Sequence, residues 1–370
     1  MVPAALPFWL PITLLPLTGF AAVMGEWWML VIPVYAWVIM SALDAIGGLN
    51  LDNPDPNSKT SLFWHLAVTW VWPPLQIITI FVGIWYATTA PHLAIHEQIG
   101  LMAAIGVTTG AIGINFAHEL IHQRNRWEVT LGDLLLISTL YGHFRTEHLQ
   151  VHHRFVGTPH DPVTARYNES FWHFFPRVLW QQIASSWAVE AQRQAKRGEP
   201  TLGPSNPFLR YWGGGLAFMA LAYAMAGGWG VALFSIQAFV AILHLELVNY
   251  IEHYGLVRMK DARGRYEPVK PRHSWNASHR VTNWLLINLQ RHSDHHYKPN
   301  RRFPLLQTYS TEEAPQLPFG YPGMLLLASN PLLFRRVMNP RVRAWRKQFY
   351  PEVEDWSRFK HPDHGEVQKV

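Results

Sequence analysis

Four short stretches of this 370-residue chain carry side chains that can hold a metal: His118-Glu119-Leu120-Ile121-His122, Glu147-His148-Leu149-Gln150-Val151-His152-His153, Asn249-Tyr250-Ile251-Glu252-His253-Tyr254-Gly255-Leu256 and Leu289-Gln290-Arg291-His292-Ser293-Asp294-His295-His296. Histidines four apart project from one helix face, so His118 with His122, and His148 with His152, are each expected to grip one ion. His153 is then aimed elsewhere. The nine histidines of these stretches are too many for one ion, since even an octahedral site takes about six ligands, and two metals sharing the set is the simplest arithmetic. Imidazole suits zinc, copper, iron and nickel alike, so the residue types leave the metal open. Glu119, Glu147, Glu252 and Asp294 adjoin the histidines and are candidates to accept the ring N–H groups that fix each tautomer.

Other chemistries were weighed on the same residues. His118 to His122 also reads as the H-E-x-x-H of a zinc protease with Glu119 as base, but that chemistry needs only one further ligand and leaves six histidines without a role. A soluble di-iron carboxylate plan needs two E-x-x-H motifs, and Glu119 to His122 is the one placed on an apolar helix. A histidine-rich metal transporter would carry ligands near the middle of the bilayer, whereas these fall beyond helix ends. His65, His92, His96, His143, His160, His173, His244, His273, His279, His361 and His364 stand singly and are read as surface or hydrogen-bonded core residues.

The elements that must position these groups look built for lipid. The chain is 49% hydrophobic and 15% charged, too apolar for an ordinary soluble domain. Apolar stretches are expected to span at about 5–24, 27–43, 61–87, 93–122, 209–225 and 231–254, the first two joined by a tight turn at Gly25-Glu26. Pro73-Pro74 predicts a kink in the third. Thirty residues from Leu93 to His122 reach about 45 Å against a hydrocarbon thickness of about 30 Å, so this helix must present its histidines outside the lipid. The segments 129–141 and 324–334 are apolar but short, and are read as interfacial or re-entrant. The fold class expected is an all-α integral membrane protein of six transmembrane helices with a cytoplasmic histidine-rich catalytic region. Its parts are 1–122 with four helices, 123–208 a cytoplasmic loop, 209–255 with two helices, 256–309 a second cytoplasmic region and 310–370 a basic interfacial tail.

Charge supports one orientation. Of 31 Lys and Arg residues, Lys59 alone precedes Arg124, and the rest lie in segments that this topology places inside. The first fifty residues hold no Lys or Arg, which argues against a cleaved signal peptide. The formal charge of +6 is not gathered into a basic domain with interleaved aromatics, so no nucleic-acid partner is expected. Cysteine is absent, which excludes an iron–sulfur or four-cysteine rubredoxin centre within this sequence.

The boxes H-E-L-x-H, E-H-x-x-x-H-H, N-Y-x-E-H-Y-G-L and L-Q-R-H-S-D-H-H resemble those of the membrane alkane hydroxylases, and the last two are long and specific. The resemblance spans about 118–306, with Gln123, Val151 and Tyr297 standing where that family usually has Lys, Gly and Ala. It implies two non-haem irons held by His118, His122, His148, His152, His153, His253, His292, His295 and His296. It also implies O2 as co-substrate, an n-alkane hydroxylated to a 1-alkanol, and a bacterial inner-membrane location. Electrons would come from rubredoxin, reduced by an NADH-dependent reductase. The cations Arg301, Arg302, Arg335, Arg336, Arg341, Arg343, Arg346 and Lys347 could dock that acidic donor or bind anionic membrane lipid. The stretch from His361 onward reads as the start of a linker to a fused electron carrier. An aryl-methyl (xylene-type) monooxygenase and a lipid desaturase are the nearer alternatives.

Overall fold

The computed structural model describes residues 2–359, so His361, His364 and the expected linker lie outside the described residues. Helices dominate, and no strand forms among the described residues. Five are long and apolar enough to cross a membrane: α1 (Leu6–Met24), α2 (Glu26–Gly47), α3 (Phe63–Thr89), α4 (Ile95–Ile121) and α7 (Phe208–His253). The expected turn between the first two forms at Gly25, which leaves the helical region at φ 66°. α3 continues through Pro73 and Pro74.

α4 is the central post: 83% of its apolar stretch is buried, against 28% in α1 and in α2. It packs on α7 through glycines, since a Cβ at Gly106 or Gly110 would press on Val240 or the Ala241 backbone at under 3 Å. The helix axes therefore approach more closely than larger residues permit.

α7 is a single run of 46 residues by hydrogen bonding, yet Ala226 (φ −147°, ψ 24°) and Gly227 (φ 60°, ψ −149°) leave the helical region inside it. Phe218 and Phe234 have ring centroids 6.3 Å apart, where a continuous helix would separate residues at that spacing by about 24 Å. The element doubles back on itself. A Cβ at Gly230 would lie 2.2 Å from the Ala222 carbonyl oxygen, so only glycine lets the arms pass this closely.

Two further helices flank the bundle where the sequence suggested loop. α5 (Arg126–Ser138) starts at Asn125, whose side chain accepts from the Trp127 N–H, and packs Gly132 against Ala117, Leu120 and Ile121. This is the short apolar segment expected at the interface. α6 (Phe171–Arg197) is capped by Ser170 and closed by Gly198 in the left-handed conformation. Near the C-terminus α8 (Tyr321–Ala328) and α9 (Pro331–Phe349) lie against the end of α7, with Tyr254 donating to Asn339 at 2.7 Å.

Candidate metal centre

The nine histidines of the four boxes meet at one end of the bundle in two groups, His118, His122, His148, His153 and His295 in the first and His152, His253, His292 and His296 in the second. α4 supplies the first box and α7 ends on His253. The second and fourth boxes lie on short pieces, Phe144–Glu147 running into the π turn His148–His152, and the helix His292–Tyr297.

The π turn corrects one expectation. His148 and His152, four apart, do not share a group; His148 and His153, five apart, do, with Nε2 atoms 3.0 Å apart. A π turn closes residue i onto i+5, which swings His153 round to its partner and sends His152 to the second group. The ordinary helical spacing holds at His118 with His122, and at His292 with His296, whose Nε2 atoms are 3.0 Å apart.

Metal fits these nitrogens better than hydrogen bonding does. His148 Nε2 lies 2.9 Å from that of His122 and 3.0 Å from that of His153, and His153 Nε2 lies 3.1 Å from that of His295. In the second group His296 Nε2 lies 3.2 Å from His152 and 3.0 Å from His292, which is itself 3.0 Å from His253. A neutral ring nitrogen carries one proton or one lone pair, so it cannot serve two such neighbours. A shared cation can. With a metal–nitrogen bond of about 2.1 Å, ligands at right angles sit about 3.0 Å apart and tetrahedral ones about 3.4 Å. The observed spacings lie in the range that ligands of one ion take up. The rings outside the spans, His122, His148, His153, His292, His295 and His296, are held well below their usual pKa by burial and then by one another. They are neutral at pH 7, the state a metal needs. Glu147, fully buried beside His148, has neither oxygen hydrogen-bonded, and adjacent positive charge would stabilise it.

The groups that orient the rings are mostly not the neighbours in sequence. Glu119 faces Gln123 and Arg302, and Asp294 accepts from Arg301, the Gln307 N–H and the Tyr309 hydroxyl. Of the four flanking carboxylates Glu252 is the one that approaches a box histidine, its Oε1 lying 3.3 Å from His292 Nδ1. Asp161 is the stronger partner and was missed by sequence reasoning. Its Oδ2 lies 3.0 Å from His152 Nδ1 and accepts from the Thr164 hydroxyl. Burial alone raises this carboxyl, but the His152 ring and Thr164 hold it below the usual aspartate range. The only local signal was the Asp161-Pro162 turn, in which Asp161 also accepts the Val163 N–H.

A second missed residue is Tyr321. Its hydroxyl donates to Glu252 at 2.7 Å, and its backbone N–H donates to Gln290 at 2.8 Å. Gln290 in turn donates to the Thr282 hydroxyl at 2.7 Å, and Thr282 donates to Asp44 on α2 through its N–H and its hydroxyl. Hydrogen bonds thus run unbroken from a spanning helix to the carboxylate facing His292. Arg291 pins the same box to the loop after α2 through the Asn50 and Asp52 carbonyls, and to its own downstream segment through the Leu306 carbonyl.

An apolar cavity reaches the histidines from within the bundle, its walls including Trp37, Ala111, Ile114, Val248, Leu286 and Leu325, and its inner end His118, His148 and His292. On the opposite side a polar recess lined by Arg124, Asn125, Glu128 and Arg302 opens over His122. Of the cations singled out in the sequence, Arg301 pairs with Asp294, Arg302 with Glu128, and Arg346 is buried between the Tyr167 and Trp356 rings. Arg335 is half-buried, while Arg336, Arg341, Arg343 and Lys347 are exposed on α9.

Residues 95–327 match the family model of fatty acid desaturases. Alkane 1-monooxygenase 2 of Alcanivorax borkumensis is 36% identical over 357 residues, covering 92% of this chain and 90% of the relative. Alkane 1-monooxygenase 1 of Pseudomonas aeruginosa is 38% identical over 326 residues, 85% of this chain and 83% of the relative. The xylene/toluene monooxygenase hydroxylase component of Pseudomonas putida is 26% identical, with 68% of this chain and 67% of the relative covered.

Proposed function

The chain belongs to the alkane 1-monooxygenase family, and from that premise we propose that it hydroxylates the terminal methyl of n-alkanes to 1-alkanols at a pair of irons, using O2 and electrons from rubredoxin. The observation that carries the reading is the apolar cavity ending on histidines from both groups, His118 and His148 of one and His292 of the other. Its apolar walls suit an alkyl chain and disfavour water, and the His118, His148 and His292 rings in its lining would put the methyl end of that chain beside the metals. His118, His122, His148, His153 and His295 would hold one iron and His152, His253, His292 and His296 the other. When bound, the irons supply the reductive activation of O2 and the insertion of one oxygen into an unactivated C–H bond. The protein's own work is positioning: Asp161 orients His152, and Glu252, held by Tyr321, faces His292.

The doubled-back α7 supports six crossings of a bacterial inner membrane, and the distribution of Lys and Arg supports a cytoplasmic histidine end. Alkanes partition among the acyl chains, from which such a cavity would be filled. Turnover of octane with rubredoxin, its reductase and NADH, read as 1-octanol, tests the reading. Hydroxylation of toluene or xylene in its place would move the chain to the aryl-methyl enzymes, and peptide cleavage or metal flux would end the proposal.

A further inference from the structure

The half of α6 nearest its N-terminus is apolar outward as well as inward: Phe171, Phe174 and Val178 are buried, yet large apolar side chains also face out. Gln182 and Ser186 are fully buried, whereas Trp172 is 55% exposed, Trp180 72% and Ile183 43%. At about 100° per residue these three exposed side chains fall on one face, which Pro176 shares. Inward, Gln182 meets the Tyr141 hydroxyl and Glu246, so the buried polar atoms are satisfied and the outward apolar face is not a packing error. Residues 171–188 contain one charged side chain, Arg177, which is paired with Glu169 at 2.9 Å. Residues 189–197 then carry Glu190, Arg193, Lys196 and Arg197.

The position of this half can be read against α7. Phe175 meets Phe239 edge to face, ring centroids 6.0 Å apart, and Phe239 is itself 54% exposed. Phe171 and Phe174 lie against Tyr250, three residues before His253, while the Phe175 ring reaches along α7 to Phe239, 14 residues before it, so this part of α6 begins near the histidine end and joins the exposed flank of α7. Further along, Trp187 stacks on Trp212 at the start of the α7 hairpin, a level suited to an interfacial indole pair. At the other end the Trp172 N–H donates to the Ser329 carbonyl at 3.1 Å, and the exposed Leu326, Leu332 and Leu333 carry the apolar surface onward.

We propose that the Phe171–Ala188 half of α6 is seated within the cytoplasmic leaflet, its Trp172, Trp180 and Ile183 face in contact with lipid acyl chains although the helix does not cross. The occupant is lipid because the face is continuous with the exposed surface of a spanning helix at Phe239 and because charge begins only where the helix rises past Trp187. This inference rests on the membrane reading of α7 and is independent of the metal.

A chain without cysteine suits the test. Single variants Trp180→Cys, Val82→Cys on the lipid-facing side of α3 and Arg263→Cys in an exposed loop are spin-labelled in nanodiscs, and relaxation by O2 and by a water-soluble nickel chelate is measured. The position-180 label is expected to match that at 82, relaxed by O2 and at least several-fold less by the chelate than the label at 263. Labels at 180 and 263 behaving alike, with 82 still lipidic, would overturn the proposal and leave the spans intact. All three labels aqueous would overturn the membrane reading itself. A label at 180 shielded from both reagents and broadened by dipolar coupling would put a second copy on this face, and the proposal would fall.

Discussion

At the scale of single residues, what distinguishes this centre from nine clustered histidines is how each ring is aimed. His152 depends on Asp161, a carboxylate outside all four boxes, and Glu252, with Tyr321 behind it, lies 3.3 Å from the His292 ring. Removing such a partner leaves the ligand in place but free to turn, which lowers metal affinity or activity about 10- to 100-fold. Asp161→Asn is therefore expected to fold and to release iron about 10-fold more readily in a chelator titration; unchanged affinity would mean His152 is oriented by something else. Tyr321→Phe keeps the ring in the cavity wall and deletes only the donor to Glu252. Its kcat for octane should drop roughly 10-fold with KM nearly constant, and a rise in KM at constant kcat would instead make Tyr321 a substrate contact.

At the scale of elements, the spans were legible because apolar length is a one-dimensional property, and the boxes because histidines four apart are a helical signature. The grouping of the second box was not, since a π turn leaves no mark in the spacing of His148, His152 and His153. α6 was hidden for a related reason: its buried stripe starts apolar at Phe171, Phe174 and Val178 but continues polar through Gln182, Ser186, Glu190 and Gln194, so no apolar period runs its length. The sequence separates 209–225 from 231–254 as two apolar runs; the chain leaves the helical region between them at Ala226 and Gly227, although hydrogen bonding carries helix across the hairpin. That hairpin depends on Gly230 passing the Ala222 carbonyl. Gly230→Val should cost about 1–3 kcal/mol, as overpacking typically does, and lower the thermal midpoint in detergent. Gly213→Ala on the same helix, where a Cβ meets nothing within 4 Å, is the control and should leave the midpoint unchanged or raise it.

At the scale of the whole molecule, the apolar bundle and the cationic half of the chain meet at the metal end, and this arrangement bears on how electrons arrive. α9 is fastened over the end of α7 by Tyr254, the residue after His253, and by Val342 against Gly255. Its exposed Arg336, Arg341, Arg343 and Lys347 therefore lie on the helix packed over the histidine end, while Arg301, Arg302 and Arg346 are engaged inside the fold. Exposed cations of this kind change encounter rates and salt dependence more than they change stability. Reversing Arg336, Arg343 and Lys347 to Glu should raise the rubredoxin concentration for half-maximal turnover by about 10-fold at low salt and flatten its dependence on ionic strength. The KM for octane, set in the apolar cavity on the other side of the histidines, should not move. If donor saturation and its salt dependence both stay as in the parent while binding to anionic vesicles weakens, these cations serve the lipid headgroups, and the donor docks at the recess over His122.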